Sequence, residues 1–188
     1  MIAWTVLLVQ FASAQAPEVE LSRPVRTWEF LPVVGMGAGL FGNESGRLEA
    51  WVYPLKLLRD FHLTFHVSNR ALPAENLART LTVTPSSATL VYSGDSFRVR
   101  ETLFVPVHEA GAVIFFDVET SQPLEIEAGF VGDFALEWPA ALGGTYQEWD
   151  AGHHAIVFGE ETKKFAALVG SPTANEPHVA FELSLIHI

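Results

Sequence analysis

The chain has 188 residues, 49 % of them hydrophobic and 18 % charged, a balance that belongs to a folded chain with one sizeable core and excludes a disordered one. Asp and Glu outnumber Lys and Arg by 22 to 11, for a formal charge of −11, which leaves no concentrated basic surface for nucleic acid and no basic amphipathic segment for a membrane. With no cysteines, disulfide scaffolds and thiolate chemistry are excluded too.

Residues 1–14 carry no charged side chain and centre on the apolar run Ile2-Ala3-Trp4-Thr5-Val6-Leu7-Leu8-Val9, too short to cross a bilayer as a helix. Ala12-Ser13-Ala14 then offers the small-x-small site that signal peptidase accepts. The expectation is a signal peptide over 1–14 and a secreted or periplasmic protein; a buried first strand or helix is the alternative. Residues 15–24, acidic and Pro-bearing, are expected to be a mobile lead-in. One domain is expected over 25–182. Leu183-Ser184-Leu185-Ile186-His187-Ile188 reads as the translation of a transposon-end sequencing adapter, which would make 183–188 a foreign tail and the parent chain longer. An ordinary terminal strand is the alternative.

From residue 25 onward the pattern is short runs of period two, broken by turn residues. Leu48, Ala50 and Val52 alternate with Arg47, Glu49, Trp51 and Tyr53; Phe61, Leu63, Phe65 and Val67 alternate with His62, Thr64, His66 and Ser68. Leu124, Ile126, Ala128 and Phe130 do the same against Glu125, Glu127 and Gly129. Such alternation puts one set on a buried sheet face. Further runs lie at 77–83, 88–92, 97–105, 112–119, 155–158 and 165–169. Ala112-Val113-Ile114-Phe115-Phe116 is continuously apolar and is expected to be covered on both faces. Between the runs stand Gly42-Asn43-Glu44-Ser45-Gly46, Ser93-Gly94-Asp95, Glu109-Ala110-Gly111, Ser121-Gln122-Pro123 and Asp150-Ala151-Gly152, all turn chemistry. No long stretch has a helical stripe, and residues 71–79 allow one helical turn. The predicted fold is all-β: an antiparallel two-sheet β-sandwich of about ten or eleven strands.

Acids are plentiful, yet no spacing marks two of Glu101, Asp117, Glu119, Asp133, Glu137, Glu148 and Asp150 as the facing pair that glycoside hydrolysis needs. No catalytic residue is assigned. His62 and His66 share a strand face but stand about 13 Å apart, too far for one metal ion. Adjacent His153 and His154 would point oppositely, and His108, His178 and His187 are isolated, so no metal site is expected. Gly35-Met36-Gly37-Ala38-Gly39 lacks the spacing and lysine of a nucleotide loop and reads as a turn; no cofactor is expected.

The aromatics carry more. Trp51 and Tyr53 fall on the polar phase of their strand with Arg47 and Glu49, and Trp138 and Trp149 lie in a Gly/Pro-rich region. Flat rings beside Asp, Glu and Arg suit sugars, whose C–H faces stack while hydroxyls bond polar groups. Packing between sheets or against a neighbouring domain is the competing use of the same rings.

The run from Gly39 through Arg47-Leu48-Glu49-Ala50-Trp51-Val52-Tyr53-Pro54 to Lys56 resembles the opening of bacterial glycogen-debranching-like and glucoamylase-like six-hairpin glycoside hydrolases. Pro106-Val107-His108-Glu109-Ala110-Gly111-Ala112 and Glu137-Trp138-Pro139-Ala140-Ala141-Leu142-Gly143-Gly144 resemble them as well. The resemblance covers about residues 26–167. It implies an N-terminal β-supersandwich, with catalysis on a following (α/α)6 domain that would be its partner in the same chain. It implies an exported parent acting by inversion on α-glucans or related oligosaccharides. Trp51, Tyr53, Trp138 and Trp149 become candidates for the cleft edge. The alternatives are a stand-alone secreted carbohydrate-binding module and a sandwich enzyme in its own right.

Overall fold

The computed structural model describes residues 19–136, 143–174, 178–179 and 184–187. The chain is an antiparallel β-sandwich of two large sheets with a small third sheet, as the period-two pattern predicts. The expected signal segment lies outside the described residues.

The five-stranded sheet holds β1 (Leu21–Pro24), β7 (Ala78–Val83), β8 (Ser87–Ser93), β9 (Phe97–Phe104) and β10 (Val113–Thr120), in the order β1-β7-β8-β9-β10. The eight-stranded sheet is built on two long neighbours, β5 (Leu55–Val67) and β11 (Leu124–Leu136). On one side of β5 follow β4 (Leu48–Val52), β3 (Ala38–Asn43) and β2 (Phe30–Val34), with β6 (Arg70–Pro73) beside the far end of β5. Beyond β11 come β16 (Ser184–His187) and β15 (His178–Val179). The third sheet is β12 (Thr145–Asp150), β13 (Ala155–Glu160) and β14 (Ala166–Gly170).

The core follows from the alternation. Leu63, Phe65 and Val67 of β5 and Ile126, Ala128 and Phe130 of β11 are buried, facing Leu90, Val99 and Leu103 of the other large sheet. Phe65 joins the layers, its ring centroid 5.4 Å from Tyr92 and 5.2 Å from Phe97. Each such ring removes on the order of 150–250 Å² from water and outweighs any surface pair in holding the sheets together. The third sheet caps one end, where Phe158 packs on Phe134 with centroids 5.9 Å apart.

Ser184–His187 pairs with β11. Two features depart from the sequence expectations. Leu21–Pro24, within the expected mobile lead-in, is a strand paired with β7. The apolar run at Val113–Phe116 is not covered on both faces: β10 is the last strand of its sheet, with Val113 and Phe115 exposed while Ile114 and Phe116 pack inward. A continuous apolar run measures β-propensity and cannot by itself separate an edge from a centre. The helical turn expected near residue 75 is present as a 3-10 turn at Ala74–Asn76.

The β3–β4 turn packs closely on the opposite sheet. Gly46 has φ +88°, and a Cβ there would lie 2.2 Å from the Tyr92 hydroxyl oxygen. Gly46→Ala should therefore cost about 2 kcal/mol, from left-handed strain plus the clash, read as a lower denaturation midpoint with unchanged slope. A midpoint equal to wild type would show that the turn relaxes away from Tyr92.

Candidate functional site

The outer face of the eight-stranded sheet carries the richest side-chain grouping outside the core. Pairing sets it up: Gly39 lies opposite Trp51, Phe41 opposite both Pro32 and Glu49, and Trp51 opposite Lys56. Because Gly39 has no side chain, the Phe41 ring lies across it, where a Cβ would come within 2.7 Å of the ring. Phe30 stacks on Phe41 with centroids 6.4 Å apart and planes 7° from parallel. The result is an aromatic ribbon running from Phe30 through Phe41 towards Trp51.

Charge fixes the inner end of the ribbon. The Trp51 indole N–H donates to Glu49 Oε1 at 2.8 Å, and Lys56 Nζ lies 2.6 Å from Glu49 Oε2 and 5.6 Å from the Trp51 ring centroid. Asp133 of β11 stands 3.6 Å from Lys56 Nζ and 3.9 Å from Arg59 Nε. Partial burial pushes the Glu49 carboxyl up, but Lys56 and the indole N–H together outweigh it, and the net shift is downward. Glu49 is therefore an ionised acceptor suited to hydroxyl groups and unsuited to proton donation.

The four aromatic candidates separate. Trp51 is half-buried in this ribbon. Tyr53 sits just past β4, 73 % exposed, its backbone N–H bonded to the Gly37 carbonyl at 3.0 Å. Trp149 is on β12 of the third sheet, away from the ribbon, half-buried against the core and edge-on to His154 at 6.5 Å. Trp138 lies outside the described residues. The sequence reading did not connect Phe30, Phe41, Lys56 or Asp133 with Trp51, because cross-strand pairing brings them together, for Lys56 and Asp133 past register shifts.

Asp117 and Glu119 both bind Arg100, at 2.7 and 2.9 Å. Asp150 is held below its ordinary range, first by a hydrogen bond with His153 at 2.6 Å and then by backbone N–H groups of its own turn. Glu101 is fully buried, its Oε2 accepting from the Tyr92 hydroxyl at 2.6 Å, while Oε1 has no partner. The alternation of Phe97, Val99, Glu101 and Leu103 put Glu101 on the inward phase, so its burial was readable. Glu148 is exposed on β12, and Glu137 lies outside the described residues.

No three of the described His, Asp and Glu side chains gather as a metal site. His62 hydrogen-bonds the Asp60 carbonyl, His66 faces Glu127 at 3.2 Å, and His154 meets the Ala174 carbonyl. Gly35–Gly39 turns the chain from β2 into β3, as expected. No described helix is long and apolar enough to cross a membrane.

The sequence matches no protein-family model and no curated protein. Function is therefore argued from the ribbon and its chemistry.

Proposed function

We propose that this chain is the N-terminal, non-catalytic sandwich of an exported glycoside hydrolase acting on α-glucans or related oligosaccharides. In this reading it packs on a following (α/α)6 catalytic domain and forms one edge of its cleft. The observation that carries the reading is the Phe30–Phe41–Trp51 ribbon with Glu49, Lys56 and Asp133 alongside. Rings beside the ionised Glu49 and an ammonium offer sugars both stacking and hydroxyl partners. The resemblance of residues 39–56 to six-hairpin hydrolases supports the same assignment.

A second reading, a stand-alone secreted carbohydrate-binding module, draws on the exposed rings of Trp28 and Tyr53. The two readings separate experimentally. As a cleft edge, the chain alone should bind maltoheptaose only in the millimolar range, and Trp51→Ala in the parent enzyme should raise KM roughly tenfold with kcat nearly unchanged. Micromolar binding by the isolated chain, lost in Trp51→Ala, would favour the module. An unchanged KM would remove Trp51 from the cleft.

A further inference from the structure

A cavity of about 690 Å³ opens between the layers, where the five-stranded and three-stranded sheets fail to meet. Its floor is the inner face of the eight-stranded sheet, with Leu40, Ala50, Val52, Phe61 and Phe130. One wall is the start of β10 with the residues just before it, Ala110 to Ile114; the other is β14, Ala166 to Gly170. Among the described residues β10 pairs only with β9 and β14 only with β13. Each is thus the terminal strand of its sheet, and both border one slot.

We propose that this slot accepts an extended peptide strand, with apolar residues at alternate positions, that joins the two sheets into one layer. Three observations select a strand over a small molecule. The walls are mostly small residues (Ala110, Gly111, Ala112, Ala166, Ala167, Gly170), which let another backbone approach closely. The single charged residue bordering the slot, Glu49, turns its carboxylate to the outer face with Lys56 and Trp51, so the polar groups left in the walls are mainly unladdered N–H and C=O of strand edges. The charge pattern of β10 agrees: Asp117 and Glu119, paired with Arg100, occupy its far half, while the half at the slot carries Val113 to Phe116 and no charge.

Size agrees as well. At about 3.3 Å per residue, 4.8 Å between strands and 10 Å between layers, a strand fills about 160 Å³ per residue, so the cavity holds about four residues. The inference does not depend on the chemistry of any parent enzyme.

The test uses the 188-residue chain and a blocked peptide of about seven residues alternating valine with threonine, at millimolar concentration, read by amide hydrogen exchange. Strand addition takes its affinity from main-chain bonds, so a generic alternating sequence is a sufficient probe. Exchange should slow at least about tenfold at 113–116 and 166–170 together, and a fully N-methylated copy, which keeps the side chains but whose methyl groups hold its edges away from the wall strands, should protect neither. Unchanged exchange at these edges, protection of one edge alone, or equal protection by the N-methylated copy would overturn the proposal. So would dodecanoate slowing exchange across the floor strands more than the peptide does, which would make the slot a lipid site.

Discussion

As the pH rises from about 4.5 to about 7, the chain should lose about 3 kcal/mol of folding stability through one side chain, Glu101. Burial between the sheets pushes its carboxyl from 4.5 to about 7, opposed only by the Tyr92 hydroxyl bond, and Oε1 has no partner to stabilise a charge. The sign follows directly. In the unfolded chain Glu101 ionises near its ordinary value, whereas in the folded chain it holds its proton to about pH 7. The advantage is complete below about 4.5 and is gone once the folded carboxyl ionises. Burial and the neighbouring Glu101 carboxylate push the Tyr92 phenol well above its ordinary range, so it stays a donor throughout. The measurement is urea unfolding, followed by tryptophan fluorescence, at pH 5 and pH 8 for wild type and for Tyr92→Phe/Glu101→Leu. The double variant should show almost none of the drop, since replacing both partners with apolar groups leaves no buried charge or orphaned hydroxyl. Its histidines are unchanged, so the difference between the two proteins isolates this pair. A wild-type chain equally stable at both pH values would refute the assignment.

On the acid side a different carboxylate acts in the opposite sense. Glu160 is buried at the end of β13 and is held down at about 2, led by its hydrogen bonding with Thr162, against desolvation, with the backbone N–H groups of Lys164 and Phe165 adding to the effect. Its contribution is present above the ordinary value of 4.5 and is lost as the pH falls towards 2. The stability profile should therefore peak on the acidic side of neutrality.

Glu44→Ala should destabilise the fold by about 3 kcal/mol, a loss comparable with that of a large core truncation. Glu44 is 1 % exposed in the β3–β4 turn and accepts from Arg23 Nη1 at 2.9 Å, Arg23 Nη2 at 2.5 Å and the Arg26 backbone N–H at 2.7 Å. Its own backbone N–H bonds the Glu29 carbonyl. One carboxylate thus ties β1 and the segment after it to the edge of the opposite sheet. Its removal leaves the Arg23 guanidinium with Glu29 and the Pro24 carbonyl as partners and strips the Arg26 amide of its carboxylate acceptor, both partly shielded from water. Glu44→Gln keeps the volume and half of the acceptors, and should recover part of the loss. Early exchange of the amides at 21–24 in Glu44→Ala would locate the damage at β1; a global loss with β1 still protected would place Glu44 elsewhere in the energetics.

The sandwich was legible where large apolar residues alternate over a full strand, as in β5, β9 and β11. It was not legible in β2 and β3, where Pro32, Gly39 and Gly42 interrupt the pattern. Pro32 is tolerated because β2 is an edge strand, and Gly42 is required because a Cβ would sit 1.9 Å from the Arg47 carbonyl oxygen. The Ser68-Asn69 turn into β6, with φ of 49° and 59°, also escaped notice, since Ser-Asn is a weak turn signature. At the site, the Glu49–Trp51 pair was readable from its two-residue spacing. Phe41, Lys56 and Asp133 were not, because register places them and sequence distance does not. Glu44 hid for another reason: an acid in a Gly-rich turn reads as solvated until its arginines are brought over from the far sheet.

The place of β1 has a consequence for synthesis. Its partner is β7, with Leu21 opposite Val83, much further along the chain. The β3–β4–β5 meander, by contrast, can zip locally as it is made. The β1–β7 pairing has to wait for Val83 to emerge, and Arg23 latches on Glu44 only when the two large sheets come together.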